Sequence, residues 1–360
     1  MYRLILFLFG ASLLSACNTE QAKTTDQEGE PTADQPALFV GQELPTDQSI
    51  TTIAIGSCNR QDAPQEMWPF IQAQNPDLWI WLGDNIYGDS EDMQVMEDKY
   101  RMQKFGEAYT AFREEVPVIG IWDDHDFGVN DGGKEYPKKD ASKALMMDFL
   151  DVPRDAAVRQ RPGTYQSYLF GYDDQQVKVI LLDTRYFRDT LKRATDGNRR
   201  YVPREDGDML GEAQWAWLEE QLTNSEAEVH IIASSVQVLA EEHGYEKWAN
   251  LPRSRQRLFD LLERTKPYRP ILLSGDRHIS ELARIDLEGL DYPLFELTSS
   301  GMTHTWGSVG EEPNKYRQGN IIAKLAYGLI RIDWSSPEPV IQLEVNGLDN
   351  ENYLDINLPL

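Results

Sequence analysis

The chain has 360 residues, 41% of them hydrophobic, with nine Trp and sixteen Tyr, enough for one large α/β domain or two modest ones. Its formal charge of -25 argues against a broad electrostatic grip on nucleic acid or anionic lipid. An anionic substrate stays admissible, because bound metal ions invert the field locally.

The N-terminus reads as an export signal. Met1-Tyr-Arg3 supplies a short positive region, and Leu4 to Leu14 an apolar run too short to span a bilayer comfortably. Leu14-Ser-Ala-Cys17 resembles a bacterial lipobox, in which cleavage after residue 16 leaves Cys17 as the lipidated first residue. The alternative is a plain signal peptide or short anchor. Asn18 stands where an inner-membrane retention signal would have aspartate, so the expected place is the periplasmic face of the outer membrane or the cell surface. Residues 18–48 read as a flexible polar tether, most plainly up to about 38, and 49–360 as the folded domain. With Cys17 lipidated, Cys58 is the one thiol left and has no disulfide partner within the chain.

Downstream, strand-like and helix-like runs alternate. Strands are predicted over 50–56, 78–82, 116–122, 165–171, 177–183, 229–235, 271–275, 281–285, 294–298, 328–334 and 340–345. Helices are predicted over 63–74, 91–114, 139–150, 211–223 and 253–265. Alternation early and strand pairs late suggest a sheet-rich α/β sandwich rather than a purely parallel sheet. Long loops over 132–139 and 185–208 are candidate walls of an active site.

The chemistry sits at strand ends. Gly83-Asp-Asn-Ile-Tyr-Gly-Asp89 follows Leu78-Trp-Ile-Trp-Leu82, Trp122-Asp-Asp-His-Asp-Phe127 follows a second apolar run, and Ile271-Leu-Leu-Ser-Gly-Asp276-Arg-His278 repeats the pattern. Carboxylates packed at the ends of buried strands are costly unless a cation pairs them, and ligands bind at the carboxyl ends of strands in open α/β sheets. A hard-cation site is expected, of more than one ion. Asp84 can bridge two metals, with Tyr87, Cys58 and His278 around one and Asp124, Asn130 or Asp131, and Asp276 offering oxygens to the other. His125 reads as an imidazole facing substrate, for charge stabilisation or proton donation. Arg185 is the candidate phosphate clamp, with a salt bridge to Asp183 as its alternative role. His230 reads as structural, His243 as exposed, and His304 as an even choice for the pocket wall. No phosphate-binding glycine loop or nucleophile elbow is present. Hydroxide on the metal, attacking phosphorus in line, is therefore the expected nucleophile.

Ile55-Gly-Ser-Cys-Asn59, Gly83-Asp-Asn-Ile-Tyr87, Trp122-Asp-Asp-His125, Leu182-Asp-Thr-Arg185 and Gly275-Asp-Arg-His278 fall in order. Together they resemble the PhoD-like alkaline phosphatases (alkaline phosphatase D), a branch of the calcineurin-like metallophosphoesterases, over roughly 50–305. The resemblance implies a sandwich of two mixed β-sheets flanked by helices and hydrolysis of phosphoric esters. It implies Fe(3+) in the softer position and Ca(2+) beside it, with Zn(2+) or Mn(2+) as alternatives. Relative to the general motif set, Cys58 stands for the first histidine, Asp124 for the asparagine of Gly-Asn-His, and Asp276 for the first histidine of the last motif. Ile231-Ile-Ala-Ser-Ser235-Val-Gln237 lacks the lone histidine. The extra N-terminal β-domain of many relatives is not expected ahead of Ile50, nor is their twin-arginine signal, so Sec export is implied. The function expected is that of an exported phosphatase acting on a small phosphate ester. A phosphodiesterase or phospholipase activity, or a non-catalytic metal- or phosphate-binding lipoprotein, are the rivals.

Overall fold

The computed structural model describes residues 36–195, 200–307 and 312–359. The predicted signal, its lipobox Cys17 and most of the tether lie outside the described residues. The tether ends earlier than expected. From Leu38, which is buried, the chain packs on the domain, with Val40 and Gly41 donating backbone N–H to Asp151 Oδ1 at 2.7 and 2.9 Å and Gln42 Nε2 to Leu150 O at 2.8 Å.

In chain order the strands are β1 (Thr52–Gly56), β2 (Leu78–Leu82), β3 (Val118–Ile121), β4 (Gln166–Phe170), β5 (Val177–Leu181), β6 (Lys192–Arg193), β7 (Tyr201–Val202) and β8 (Val229–Ala233). There follow β9 (Pro270–Ser274), β10 (Ser280–Ile285), β11 (Leu294–Thr298), β12 (Arg317–Ile322), β13 (Tyr327–Asp333), β14 (Val340–Asn346) and β15 (Asn352–Asn357). The helices are α1 (Trp68–Gln72), α2 (Met93–Lys104), α3 (Glu107–Glu115), α4 (Asp124–Phe127), α5 (Lys139–Phe149), α6 (Gly211–Leu222) and α7 (Pro252–Thr265). One sheet runs β15-β14-β13-β1-β2-β3 and the other β12-β10-β11-β9-β8-β5-β4. Both are mixed. β1, β2 and β3 are parallel, with β3 at one edge, as are β5, β8, β9 and β11, and antiparallel strands complete the other edge of the first sheet and both edges of the second. Among the described residues no helix is long and apolar enough to cross a membrane.

Side chains alternate across each strand, so each central strand feeds two cores. Ile53, Ile55, Leu78, Ile80 and Leu82 meet Val179, Leu181, Ile231, Ile271 and Leu273 between the sheets. The opposite face of β2 presents Trp79 and Trp81 to Trp68, Tyr109 and Phe112. The three Trp rings meet edge-on, Trp68 lying 5.1 Å from Trp79 and 5.4 Å from Trp81, a geometry that favours the ring quadrupoles. The second sheet buries Ile180, Ile232 and Leu272 against Trp215, Leu218 and Leu258 of α6 and α7. The result is helices, sheet, sheet, helices.

The single helix expected over 91–114 is two, separated at Phe105 and Gly106, where Gly106 adopts extended backbone as the N-cap of α3. The helix expected over 63–74 is one turn beginning beside Pro69. The edge strands β12 and β15 and the β6–β7 hairpin lie outside the predicted strands.

Candidate metal centre

Every parallel strand that faces the site hands over its next residue at one end of the sandwich. β1 leads to Ser57 and Cys58, β2 to Gly83 and Asp84, and β3 to Trp122, Asp123 and Asp124. From the second sheet β5 leads to Asp183 and Arg185, β8 to Ser235, β9 to Asp276, and β11 to Ser299 and Ser300. These turns are tight. Gly83 has φ +94, and a Cβ there would stand 2.5 Å from Asp123 Cβ. A Cβ on Gly275 would stand 2.6 Å from Leu82 O. Cys58, Asp84, Asp276 and His278 themselves take left-handed backbone, with φ of 56, 52, 63 and 53. Non-glycine residues held there store strain, which clusters at functional sites.

Asp84 lies at the centre. Its Oδ2 is 3.3 Å from Cys58 Sγ and 3.3 Å from Tyr87 Oη, and Tyr87 Oη is 3.1 Å from His278 Nε2. Its Oδ1 faces the other way and accepts the backbone N–H of His125 at 3.4 Å. Cys58, Asp84 and His278 form one group able to hold a cation, and Asp84 recurs in a second with Asp124 and His125. Asp123, Asp124 and Asp276 form a third, and Asp124, Asp131 and Glu246 a fourth. Cys58, Asp84, Tyr87, Asp124, Asp276 and His278 are thus brought together. Asn130 is exposed on the wall of the adjoining cleft, and it is the carboxylate of Asp131 that enters a group with Asp124.

Burial dominates the electrostatics. It pushes the Cys58 thiol up to about 12, with the charge of Asp276 adding to the shift. Burial likewise raises Asp84 and Asp276 well above the usual carboxylate range. Asp123 goes up to about 7 for the same reason, against the pull of Arg185. Asp124 is also buried, yet Arg185 and His125 hold it down at about 2. Burial and the neighbouring charges of His304, His125 and Arg277 keep His278 neutral, at about 3, the form that binds metal.

This donor set fits cations. Thiol, phenol and imidazole converge with one carboxylate, and carboxylates alone converge beside them, while Asp123 Oδ2 is buried with no hydrogen-bond donor among the described residues. The first set suits a thiolate-tolerant ion and the second an oxygen-preferring one.

Residues outside the expected set hold this geometry. Asp126 Oδ1 accepts from the backbone N–H of Asp123 at 2.6 Å and of Asp84 at 3.3 Å, and Oδ2 from that of Asn85 at 3.2 Å. One buried carboxylate thus ties together the loops after β2 and β3. Ser300 Oγ donates to Cys58 Sγ at 3.0 Å and accepts from His278 N at 2.7 Å. Ser235, where a histidine was missing, donates to Asp123 Oδ1 at 2.5 Å.

Arg185 does not project into the cleft as a phosphate clamp. Its guanidinium is wholly buried, bonding Asp123 through Nε at 2.6 Å and Glu246 through Nη1 at 2.7 Å. Only its backbone N–H reaches Asp183, at 3.0 Å. His125 lines the cleft, its Nδ1 2.8 Å from Asp89. Burial works against its charged form, but Asp84, Asp124 and Asp89 hold its pKa up at about 11. His304 stands 4.3 Å from the His278 ring. His230 is buried between Tyr268 O and Ser225 Oγ, a structural histidine. His243 is buried too, not exposed, its Nδ1 accepting from Tyr245 N–H at 3.2 Å.

The two mixed sheets, with paired acidic loops at their carboxyl ends, give the calcineurin-like fold with a candidate cation centre. The sequence model of PhoD-like phosphatase matches residues 53–324. The chain therefore belongs to the PhoD-like phosphatases, and so to the phosphoric ester hydrolases. A solved structure of PhoD is similar at a TM-score of 0.66 and 16% identity, over 88% of this chain and 73% of that one. A Plasmodium protein described as GAP50, the anchor in the inner membrane complex, is similar at 0.57 and 12%, over 87% and 90%. A dimetal phosphatase from Danio rerio is similar at 0.55 and 12%, over 86% and 99%. No curated protein sequence matches.

Proposed function

We propose that this chain is an exported, lipid-anchored phosphatase that hydrolyses small phosphate esters at a cation centre built around Asp84. The observation that carries this reading is the division of one carboxylate between two groups, Oδ2 toward Cys58 and Tyr87, Oδ1 toward His125 N. Cys58, Tyr87 and His278 would hold Fe(3+), and Asp124, Asp276 and Asp131 would hold Ca(2+), with Zn(2+) or Mn(2+) as the alternative pair. Bound there, the cations supply the charge that activates water and meets the negative ester.

The protein's own residues do the rest. Among the described residues, both arginines lining the cleft are already paired, Arg200 with Asp131 at 2.9 Å and Arg277 with Glu312 at 2.6 Å. Neither is an uncommitted clamp. Asp89 engages Nδ1 of His125, which leaves Nε2–H to protonate the departing ester oxygen. Arg185 holds Asp123 at the site's floor.

A second reading is phosphodiester hydrolysis. The cleft, of about 240 Å³, shares Asn130 and Asp131 with a neighbouring cavity of about 290 Å³, space for a second ester substituent. Metal analysis of the purified protein, together with rates on p-nitrophenyl phosphate and bis-p-nitrophenyl phosphate, tests both. Metal content without hydrolysis of either ester would leave only a binding protein. For the anchor, palmitate should label the full-length protein and not Cys17→Ala. An unlabelled wild type refutes it.

A further inference from the structure

Two large aromatic side chains stand in water at the mouth of the cleft. Trp306 is 49% exposed and Tyr245 39%, and both line the same cavity as His125 and His278. An apolar ring left in water loses the stabilisation that burial gives its neighbours. Two such rings side by side above a reactive centre are a surface for a ligand.

Their arrangement is ordered outward from the centre. The ring of Trp306 lies 5.3 Å from that of His278 at a tilt of 31°. Tyr245 lies 6.2 Å beyond Trp306 at a tilt of 34°. Both rings have firm bases. The backbone N–H of Trp306 bonds His278 O at 3.4 Å, and Tyr245 directly precedes Glu246, buried between Arg185 and Arg188. The three rings follow one another from His278 to the rim, each tilted by about a third of a right angle from the last.

We propose that Trp306 and Tyr245 form a stacking shelf for a planar, uncharged aromatic leaving group, so that the preferred substrates are aryl or nucleoside phosphate esters. The inference rests on the phosphoesterase reading above. Stacking on aromatic side chains is tolerant of which base is bound, since every base has a π-face. A quaternary ammonium group would also be drawn to aromatic faces. Here, however, the Arg277 guanidinium already sits 4.5 Å from the Tyr245 ring centroid, and Arg200 lines the same cleft. The Arg277 guanidinium takes the place at the Tyr245 ring that a quaternary ammonium would need.

The test compares adenosine 5′-monophosphate with ribose 5-phosphate, which share a primary-alcohol leaving group and differ by the base. Choline phosphate serves as the cationic comparator. On the holoenzyme, kcat/KM for the adenosine ester should exceed that for ribose 5-phosphate by on the order of tenfold, mostly through KM. Trp306→Ala and Tyr245→Ala should each pull that ratio toward one, while Trp306→Phe keeps most of it. Equal rates for the two esters, or a preference for choline phosphate, would overturn the shelf and leave the phosphatase reading standing. Hydrolysis of none of these or of the p-nitrophenyl esters would remove both. A ratio unmoved by either alanine change would place base recognition elsewhere and also overturn it.

Discussion

Arg185 Nε donates to Asp123 Oδ1 across 2.6 Å, and neither side chain reaches solvent. The pair makes Arg185 part of the floor beneath the metal centre. Removing one partner of a buried ion pair costs about 3–5 kcal/mol, because the other charge stays buried alone. Arg185→Met should therefore lower the stability of the metal-loaded protein by that amount in urea unfolding and reduce its metal content. A clamp on substrate would behave otherwise. Unchanged stability with a raised KM would return Arg185 to the role of phosphate ligand.

Asp84 and His125 should separate in their effects. Asp84→Asn loses metal and hydrolysis together, because its two oxygens serve two groups of ligands. His125→Ala should retain metal and lose on the order of 10²–10⁴ in turnover, with a smaller loss for esters whose leaving groups need little protonation. Elemental analysis beside the rates decides. Metal lost from His125→Ala would make His125 a ligand.

Tyr87 Oη lies within 3.3 Å of Asp84 Oδ2 and 3.1 Å of His278 Nε2. A phenolate and a thiolate on ferric iron absorb visible light by charge transfer. The purified protein should be coloured, and Tyr87→Phe should shift or bleach the band. A colourless, fully active protein containing zinc or manganese alone would exclude iron.

His230 offers a pH test remote from the metals. Burial lowers its pKa from 6.5 to about 4, so between these values the unfolded chain binds the proton and the folded one does not. Stability contributed by neutral His230 is full above pH 6.5 and is lost as pH falls toward 4. The difference amounts to about 3 kcal/mol. His230→Gln should flatten the unfolding free energy across that window relative to wild type. An identical slope would mean that His230 does not titrate with folding.

The strand-end acids were legible because apolar runs such as Leu78-Trp-Ile-Trp-Leu82 stop abruptly at Gly83 and Asp84, a boundary visible in composition alone. The sandwich followed from the alternation of such runs with helical ones. Asp123 was hidden beside Asp124, since adjacent acids look alike until the backbone turns one toward Arg185 and Ser235. Glu246 and Asp126 act through partners distant in sequence or through backbone N–H groups, which leave no mark in side-chain pattern. The edge strands Arg317–Ile322 and Asn352–Asn357 carry few buried side chains, so their periodicity is weak. Asn130 and Asp131 differ by one position in a loop, where no period says which side chain turns inward.

The hydrogen bond from Ser300 to Cys58 joins residues 242 positions apart, and β1 pairs with β13 near the C-terminus. Closing so wide a circuit comes late in folding, because long loops must be ordered before such contacts reward them. The centre should therefore form only after strands from both ends of the domain have paired. Metal uptake during refolding should lag the appearance of secondary structure and mark the last cooperative step. A fragment ending before β9 would hold acids but no site.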